Sequence, residues 1–304
     1  MRVRDLPLPE LRSQLQRGEL TLQVPPFVAR LTSDVPRVAE DLRLLYADFS
    51  IGSPADFADF HLEVRREQGM RRWLKPMARF LADGEPAFSP LPANQAFHMI
   101  EWGLNWAVST MAHPYLSYHA AALEQGDRAL MLPAPPGSGK STLSAALAHR
   151  GWRLMSDEIT LYDIRSRQVS GMGRPVNLKN VSIDLLRAFA PEAVFTQPVP
   201  DTEKGTLALM RAPGDSIARV TESASPTWIV MPRFQAGAVP QLNELPKARM
   251  LLLLAEQAFN YDIHGRAGFE ATADLVDRCE CLEFAYSSLG DAVAHLEQQL
   301  LAPA

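Results

Sequence analysis

Apolar positions along the chain fall into two kinds of pattern. In residues 96–112, Phe97, Ile100, Leu104 and Ala107 recur every three or four positions, the period that places side chains on one face of a helix. Residues 291–300 repeat the pattern with Ala292, Val293, Leu296 and Leu300, again one helical face. Residues 143–150 read as a third helix, and Gly151 suits its C-terminal end. The second pattern is a short apolar run bounded by turn residues, which predicts a strand. It occurs at 118–123 and 128–132, joined by a turn at 124–127 that contains Gly126, and again at 152–155, 207–210, 228–231 and 281–286. Residues 159–162 continue or pair with the strand at 152–155. The longest apolar stretch, 250–255, reads as a buried helix and is far short of the roughly 20 residues that span a bilayer. Strand and helix alternate after about residue 115, which predicts an α/β or mixed-sheet fold.

The first hundred residues have a different texture. Pro7, Pro9, Pro25, Pro26 and Pro36 break them into short segments, and 85–92 (EPAFSPLP) reads as a connection. The expected division is an N-terminal accessory α+β region over 1–95 and a catalytic domain over 96–304, with the helix at 96–112 packed on the latter. Glu101 and Asn105 on that helix are expected to be structural. No internal repeat, heptad run or low-complexity tract is present.

Composition narrows the function classes. In 304 residues, 47% are hydrophobic and 21% charged, so a full core can be buried. A net charge of −5 argues against a nucleic-acid footprint, which needs a basic surface, while leaving room for a local basic pocket. The two cysteines, Cys279 and Cys281, lie too close together for an unstrained bridge, and nothing pairs with them at zinc-ligand spacing. Residues 1–20 alternate charged and apolar positions and lack the apolar run of a signal peptide. The expectation is a reduced, cytoplasmic protein with neither membrane nor nucleic-acid partner.

The strongest chemical signal is Ala134-Pro135-Pro136-Gly137-Ser138-Gly139-Lys140-Ser141-Thr142, set between a predicted strand and a predicted helix. Gly137 and Gly139 have no Cβ, so the backbone can curl and aim successive N–H groups at phosphates. The helix that starts there adds its N-terminal partial charge and free amides. Lys140 supplies a cation to the β/γ bridge, Ser141 a hydroxyl for Mg²⁺, and Thr142 a contact to the α-phosphate. Pro135 and Pro136 stiffen the entry without removing a needed amide. The pattern predicts ATP with Mg²⁺, and no guanine-reading Asn/Thr-Lys-x-Asp motif accompanies it.

Phosphoryl transfer also needs a metal-holding carboxylate and a group that orients or deprotonates the acceptor. Asp157 and Glu158 follow the strand after the loop helix, where the carboxyl edge of a parallel sheet faces the loop. One is expected to hold Mg²⁺ and the other to take the acceptor proton, in either order. His119, one strand upstream, is a further candidate. Cations that spread transition-state charge are sought among Arg174, Lys179, Lys204, Arg211 and Arg266, with Arg174 and Lys204 preferred.

The stretch His119…Ala134–Thr142…Arg150-Gly-Trp-Arg-Leu154…Asp157-Glu158 resembles the catalytic core of HPr kinase/phosphorylase. With Glu101-Trp-Gly-Leu-Asn105, Gly173-Arg-Pro-Val-Asn-Leu-Lys179 and Lys204-Gly-Thr206 it is more similar to the group called HprK-related kinase A, across nearly the whole chain. The resemblance implies a P-loop kinase domain of the HPr kinase and phosphoenolpyruvate carboxykinase-like type. It implies transfer of the γ-phosphate of ATP to a protein or peptide side chain, a serine above all, with His119 as catalytic support. Glu158 falls where the family has its proton-accepting aspartate. The family's Glu-Val-Arg-Gly-Leu-Gly signature and late Pro-Gly-Arg-Asn segment have no clear counterpart, so the reverse phosphorylase reaction and HPr as acceptor stay open. By analogy with related kinases, a small peptide-binding partner protein and a homo-oligomer are expected. Two further readings stand beside the protein or peptide kinase: a P-loop kinase of a small hydroxyl metabolite, and a nucleotide-gated binding protein with little turnover.

Overall fold

The structure is a computed structural model that describes residues 1–69 and 75–301; the last three residues of the expected catalytic region lie outside it. Its N-terminal part comprises α1 (Leu8–Arg17), β1 (Leu20–Val24), β2 (Phe27–Ser33), α2 (Pro36–Leu45), β3 (Phe60–Arg66), β4 (Met77–Ala82), β5 (Glu85–Pro86), β6 (Leu91–Pro92) and α3 (Ala96–Met111). The strands form one mixed sheet in the order β1-β2-β3-β4-β5, with β6 also on β4. Only β2 and β3 run parallel, and α2 supplies the crossover that parallel neighbours require. Along β3 and β4 buried residues alternate with more exposed ones, the two-residue period of a sheet with one face on a core.

The helix α3 departs from the expected packing. It lies against β3 and β4 of the N-terminal sheet, because Gly103 lets the Phe80 ring approach its backbone. A Cβ at Gly103 would stand 2.0 Å from that ring. The helix faces the second half of the chain with Glu101 and Asn105 instead.

The rest of the chain runs β7 (Tyr115–Tyr118), β8 (Ala120–Gln125), β9 (Arg128–Pro133), α4 (Lys140–Ala148), β10 (Arg153–Ser156), β11 (Thr160–Asp163), β12 (Gln168–Ser170), β13 (Val176–Lys179), α5 (Val181–Phe189), β14 (Val199–Thr202), β15 (Gly205–Met210), α6 (Gly214–Ala218), β16 (Ser225–Phe234), β17 (Gln241–Glu244), α7 (Lys247–Glu256), α8 (Tyr261–Arg278), β18 (Glu280–Tyr286) and α9 (Leu289–Leu300). A six-stranded mixed sheet in the order β10-β8-β9-β16-β18-β17 is its centre. Two three-stranded antiparallel sheets, β12-β11-β7 and β13-β15-β14, flank it. The molecule is thus a mixed α/β fold, and no helix among the described residues is long and apolar enough to cross a membrane.

The central strands explain their own apolar runs. In β8 and β9, Ala121, Leu123, Leu130 and Leu132 join the same core as Leu143 and Ala146 of α4 and Val293 and Leu296 of α9. Their alternate neighbours Ala120, Ala122, Ala129 and Met131 join a second core with Leu254 of α7 and Leu275 of α8. Both faces are covered, so the strands are continuously apolar rather than alternating. The stretch 250–255 is not buried throughout as expected: Met250 and Leu254 face that second core while Leu252 is exposed. α7 is an amphipathic surface helix.

Strand directions position the site. β10 pairs antiparallel with β8, and β8 antiparallel with β9, so β10 and β9 point the same way. β16 and β18 continue parallel to β9. The carboxyl ends of β9, β10, β16 and β18 therefore meet along one edge. The strand bearing the acidic pair is not a parallel neighbour of the loop strand, as expected from sequence, because the β8–β9 hairpin returns the chain between them. The edge is the same.

Candidate functional site

The β8–β9 hairpin delivers Ala134 to this edge, and the chain then turns over exposed Pro135, Pro136 and Gly137 before α4 begins at Lys140. Gly137 and Gly139 have φ of 88° and 89°, a left-handed conformation that side-chained residues rarely adopt. Gly139 is also in close contact: the Tyr286 hydroxyl donates to its carbonyl at 3.2 Å, and a Cβ there would lie 2.3 Å from that oxygen. The Phe234 amide donates to the Ser138 carbonyl at 3.1 Å. The ends of β16 and β18 thus hold the loop from behind. Burial raises the Tyr286 phenol well above its ordinary range, so it stays a neutral donor.

Lys140, the first residue of α4, is only 7% exposed, and its ammonium has no hydrogen-bond partner. Burial lowers its pKa, opposed by the charges of Asp157 and Glu158. A buried ammonium without a hydrogen bond is costly, so the position invites an anion. Ser138 Oγ nearby in sequence is likewise buried and unpaired. Ser141 and Thr142 are half-buried in the first turn of α4, beside amides that no helical carbonyl satisfies.

Asp157 and Glu158 sit in the bend between β10 and β11, pinned by Ser156 Oγ donating to the Ile159 carbonyl. Asp157 is 4% exposed and accepts from Ser144 Oγ at 3.1 Å and the Asn177 amide at 3.2 Å. Burial, with the neighbouring Glu158 charge, pushes its pKa up to about 6 against the opposing pull of Lys140. Glu158 is half-buried and accepts from Asn105 Nδ2.

That bond belongs to a relay that runs into the N-terminal part. Asn105 Oδ1 accepts from Arg174 Nη1 at 2.6 Å. Arg174 Nη2 donates to Glu101 Oε2 at 2.7 Å and to the Glu101 carbonyl at 2.8 Å. Tyr46 Oη donates to Glu101 Oε1 at 2.7 Å. Burial alone would lower the Arg174 pKa, but Glu101 and Tyr46 outweigh it and raise it. Arg174 is therefore a buried, paired guanidinium and not the free cation expected from sequence; its work is to hold Asn105 and Glu101 against the acidic bend.

The remaining candidates separate cleanly. His119 lies between β7 and β8, its Nδ1 3.2 Å from Gln257 Oε1, and burial followed by the Lys140 charge lowers its pKa. Neutral and donating through Nδ1, it keeps Nε2 as an acceptor. Lys204 is exposed at the β14–β15 turn, with its ammonium 5.2 Å from the Trp102 ring centroid, a cation–π contact. Lys179 at the end of β13 is near enough to lower the pKa of both Lys140 and His119. Arg211 is bound to Asp48, and Arg266 pairs with Glu270 on the exposed surface of α8. Neither belongs to the site.

Two cavities meet at Glu158. One, small, is lined by Glu101, Asn105, Asp157, Arg174 and Asn177 among others. The other, of about 290 Å³, is walled by Phe88, Trp102, Trp106 and Phe259, with His119, Asn105, Glu158 and Lys204 around it. Tyr46, Asn105, Ser144, Asn177 and the four aromatic residues escaped the sequence reading as site residues. Only Trp102 and Trp106, four apart on one helix, carry a periodic signal. Among the described residues no cluster of three or more histidine, cysteine, aspartate or glutamate side chains could hold a metal. Both cysteines are free and buried.

No family model matches the chain, and no curated protein matches it.

Proposed function

We propose that this protein is an ATP-dependent phosphotransferase of the P-loop, HPr kinase-like type, which moves the γ-phosphate to a hydroxyl, with serine of a protein or peptide as the acceptor. The observation that carries this reading is the buried Lys140 ammonium, unpartnered at the head of α4 inside a loop of two left-handed glycines. Its missing partner would be the β/γ-phosphate oxygens of ATP, with the loop amides and the helix N-terminus sharing the charge.

Glu158 is the proton acceptor in this reading. It borders the larger cavity, is half-buried, and is oriented by Asn105. As the acceptor oxygen attacks the γ-phosphorus, its proton passes to Glu158 and the bond to ADP breaks with its electron pair. Neutral His119 lines the same cavity, and its Nε2 is an acceptor that helps to orient the incoming acceptor. Mg²⁺ fits the donor set, since it binds through one or two carboxylates plus phosphates and keeps several waters. Asp157 and the Ser141 hydroxyl would hold it, with Glu158 as an alternative ligand, and when bound it would offset charge on the phosphates. Lys204 and Arg174 fall to acceptor and framework roles.

The test is incubation with γ-labelled ATP and Mg²⁺ in lysate of the source cells, beside Lys140→Met and Glu158→Gln. Label on a polypeptide or peptide is expected, absent with either variant. ATP affinity should fall at least ~100-fold with Lys140→Met, the scale of losing a charge-assisted contact, and hold with Glu158→Gln. Label on small molecules alone would replace the acceptor class; ATP binding without transfer would replace the enzyme by a nucleotide-gated binder.

A further inference from the structure

The larger cavity asks what kind of acceptor the site takes. Three of its walls come from the N-terminal half: Phe88 before α3, and Trp102 and Trp106 on α3. The fourth, Phe259 in the segment between α7 and α8, is 48% exposed and lies 5.9 Å from the His119 ring. Phe88 and Trp106 meet edge to face at 6.5 Å. Among the polar groups that line it, Asn105 donates to Glu158, and His119 is close enough to Glu158 to feel its charge. Aromatic walls with a few convergent polar groups are the usual make-up of a ligand site, and about 290 Å³ holds a side chain and its neighbour rather than a folded domain. Exposed Phe259 and Lys204 mark the rim, so a chain longer than the cavity can enter from the surface.

We propose that this cavity is the acceptor subsite and that it selects a peptide hydroxyl flanked by an aromatic residue, the hydroxyl at Glu158 and the ring between Trp106 and Phe259. The proposal rests on the phosphotransferase reading for the chemistry at Glu158, and not for the binding itself. Aromatic rings prefer offset or edge-on partners and gain beyond their area when they find them. Trp106 and Phe259 both line the cavity, the first half-buried and the second exposed. The step is that of the proposed reaction: the serine oxygen bonds to the γ-phosphorus, ADP leaves with the electron pair, and the serine proton ends on Glu158.

Binding of N-acetyl-Gly-Ser-Phe-Gly-amide and N-acetyl-Gly-Ser-Gly-Gly-amide to the full chain, with ADP and Mg²⁺ present, is measured by calorimetry. The same titrations are made on Phe259→Ala and Phe259→Trp, and phenylalaninol serves as a small aromatic alcohol. The aromatic peptide should bind at least tenfold more tightly than the glycine peptide. Phe259→Ala should erase that ratio while leaving ADP affinity unchanged, and Phe259→Trp should restore it. Equal binding of the two peptides, binding of neither, or a ratio indifferent to Phe259→Ala would overturn the proposal. Phenylalaninol binding as tightly as the peptide would overturn the peptide as the source of the ring. Failure of ADP and ATP to bind at all would strike the phosphotransferase reading separately, since the peptide titrations are repeated without nucleotide.

Discussion

Two buried charge clusters in this molecule are built on opposite plans. At Glu124, in β8, both carboxylate oxygens are occupied: Arg153 Nε at 2.6 Å and Arg219 Nη1 at 3.1 Å on one, the Asp127 amide at 2.7 Å on the other. At Lys140 the acids are close enough to be felt, yet the ammonium makes no hydrogen bond. The first cluster occupies both oxygens of its carboxylate, with Arg153 Nη2 alone left without a partner, and ties β8 to β10 and to the segment after α6. The second is held open by the fold around it. In the proposed function the first cluster serves the fold, and the open Lys140 ammonium takes the phosphates of the nucleotide.

The contrast has its largest expected consequence at Glu124. Glu124→Gln leaves Arg153 and Arg219 facing a neutral amide, and breaking one side of a buried pair costs about 3–5 kcal/mol. Chemical denaturation should show that loss, with ATP affinity unchanged where the variant is folded. Lys140→Met should do the reverse, weakening nucleotide binding by at least ~100-fold while leaving stability equal or raised by about 1–2 kcal/mol, since an unsatisfied buried polar group is removed. Equal destabilisation by both substitutions would erase the difference between the clusters.

Asn105 tests the border between the two plans. It donates to Glu158 and accepts from Arg174, and a hydrogen bond to a charged group contributes about 1.5–3 kcal/mol. Asn105→Leu should lower the transfer rate by about 10–100-fold with ATP affinity intact, since Glu158 loses the donor that orients it. A loss confined to nucleotide affinity would place Asn105 in the framework alone.

His98 provides a control away from the site. It is 2% exposed on α3, both ring nitrogens lack partners, and burial lowers its pKa to about 4. Unlike Lys140 it escapes the cost of burying a charge by staying neutral. Between the unfolded value of 6.5 and the folded value of about 4, the unfolded chain takes up a proton that the folded chain refuses. Stability is therefore full above pH 6.5 and declines as pH falls toward 4, by about 3 kcal/mol from this residue. His98→Leu should flatten that part of the stability–pH curve. An unchanged slope would show that acid acts elsewhere.

Parts of this arrangement were legible in the sequence because their physics is local. The β8–β9 hairpin was read from two apolar runs around Gly126. The loop at 134–142 was read from glycine and lysine spacing, and the bend at 157–158 from its place after the next strand. The relay from Tyr46 through Glu101, Arg174 and Asn105 to Glu158 was not legible. Its bonds join residues 53 to 73 positions apart, and no periodicity encodes which distant polar groups will meet. Arg174 was misread for the same reason: its guanidinium looks free until Glu101 is brought to it. The sheet of β7, β11 and β12 was read only in part, since strands of three or four residues leave little room for alternation.

The position of α3 has a bearing on how such a chain can be inherited. One side of the helix is locked by Gly103 against Phe80 of the N-terminal sheet, while the other carries Asn105, Trp102 and Trp106 to the cavities. The first hundred residues cannot be exchanged for those of another protein as a detachable module without losing Phe88 of the proposed acceptor pocket and the sheet that α3 is fitted to. A recombination event at 85–95 would leave the phosphate loop intact and hand the new chain a helix whose back no longer fits its sheet. Change in acceptor preference would more easily come by substitution along α3 itself than by shuffling whole segments.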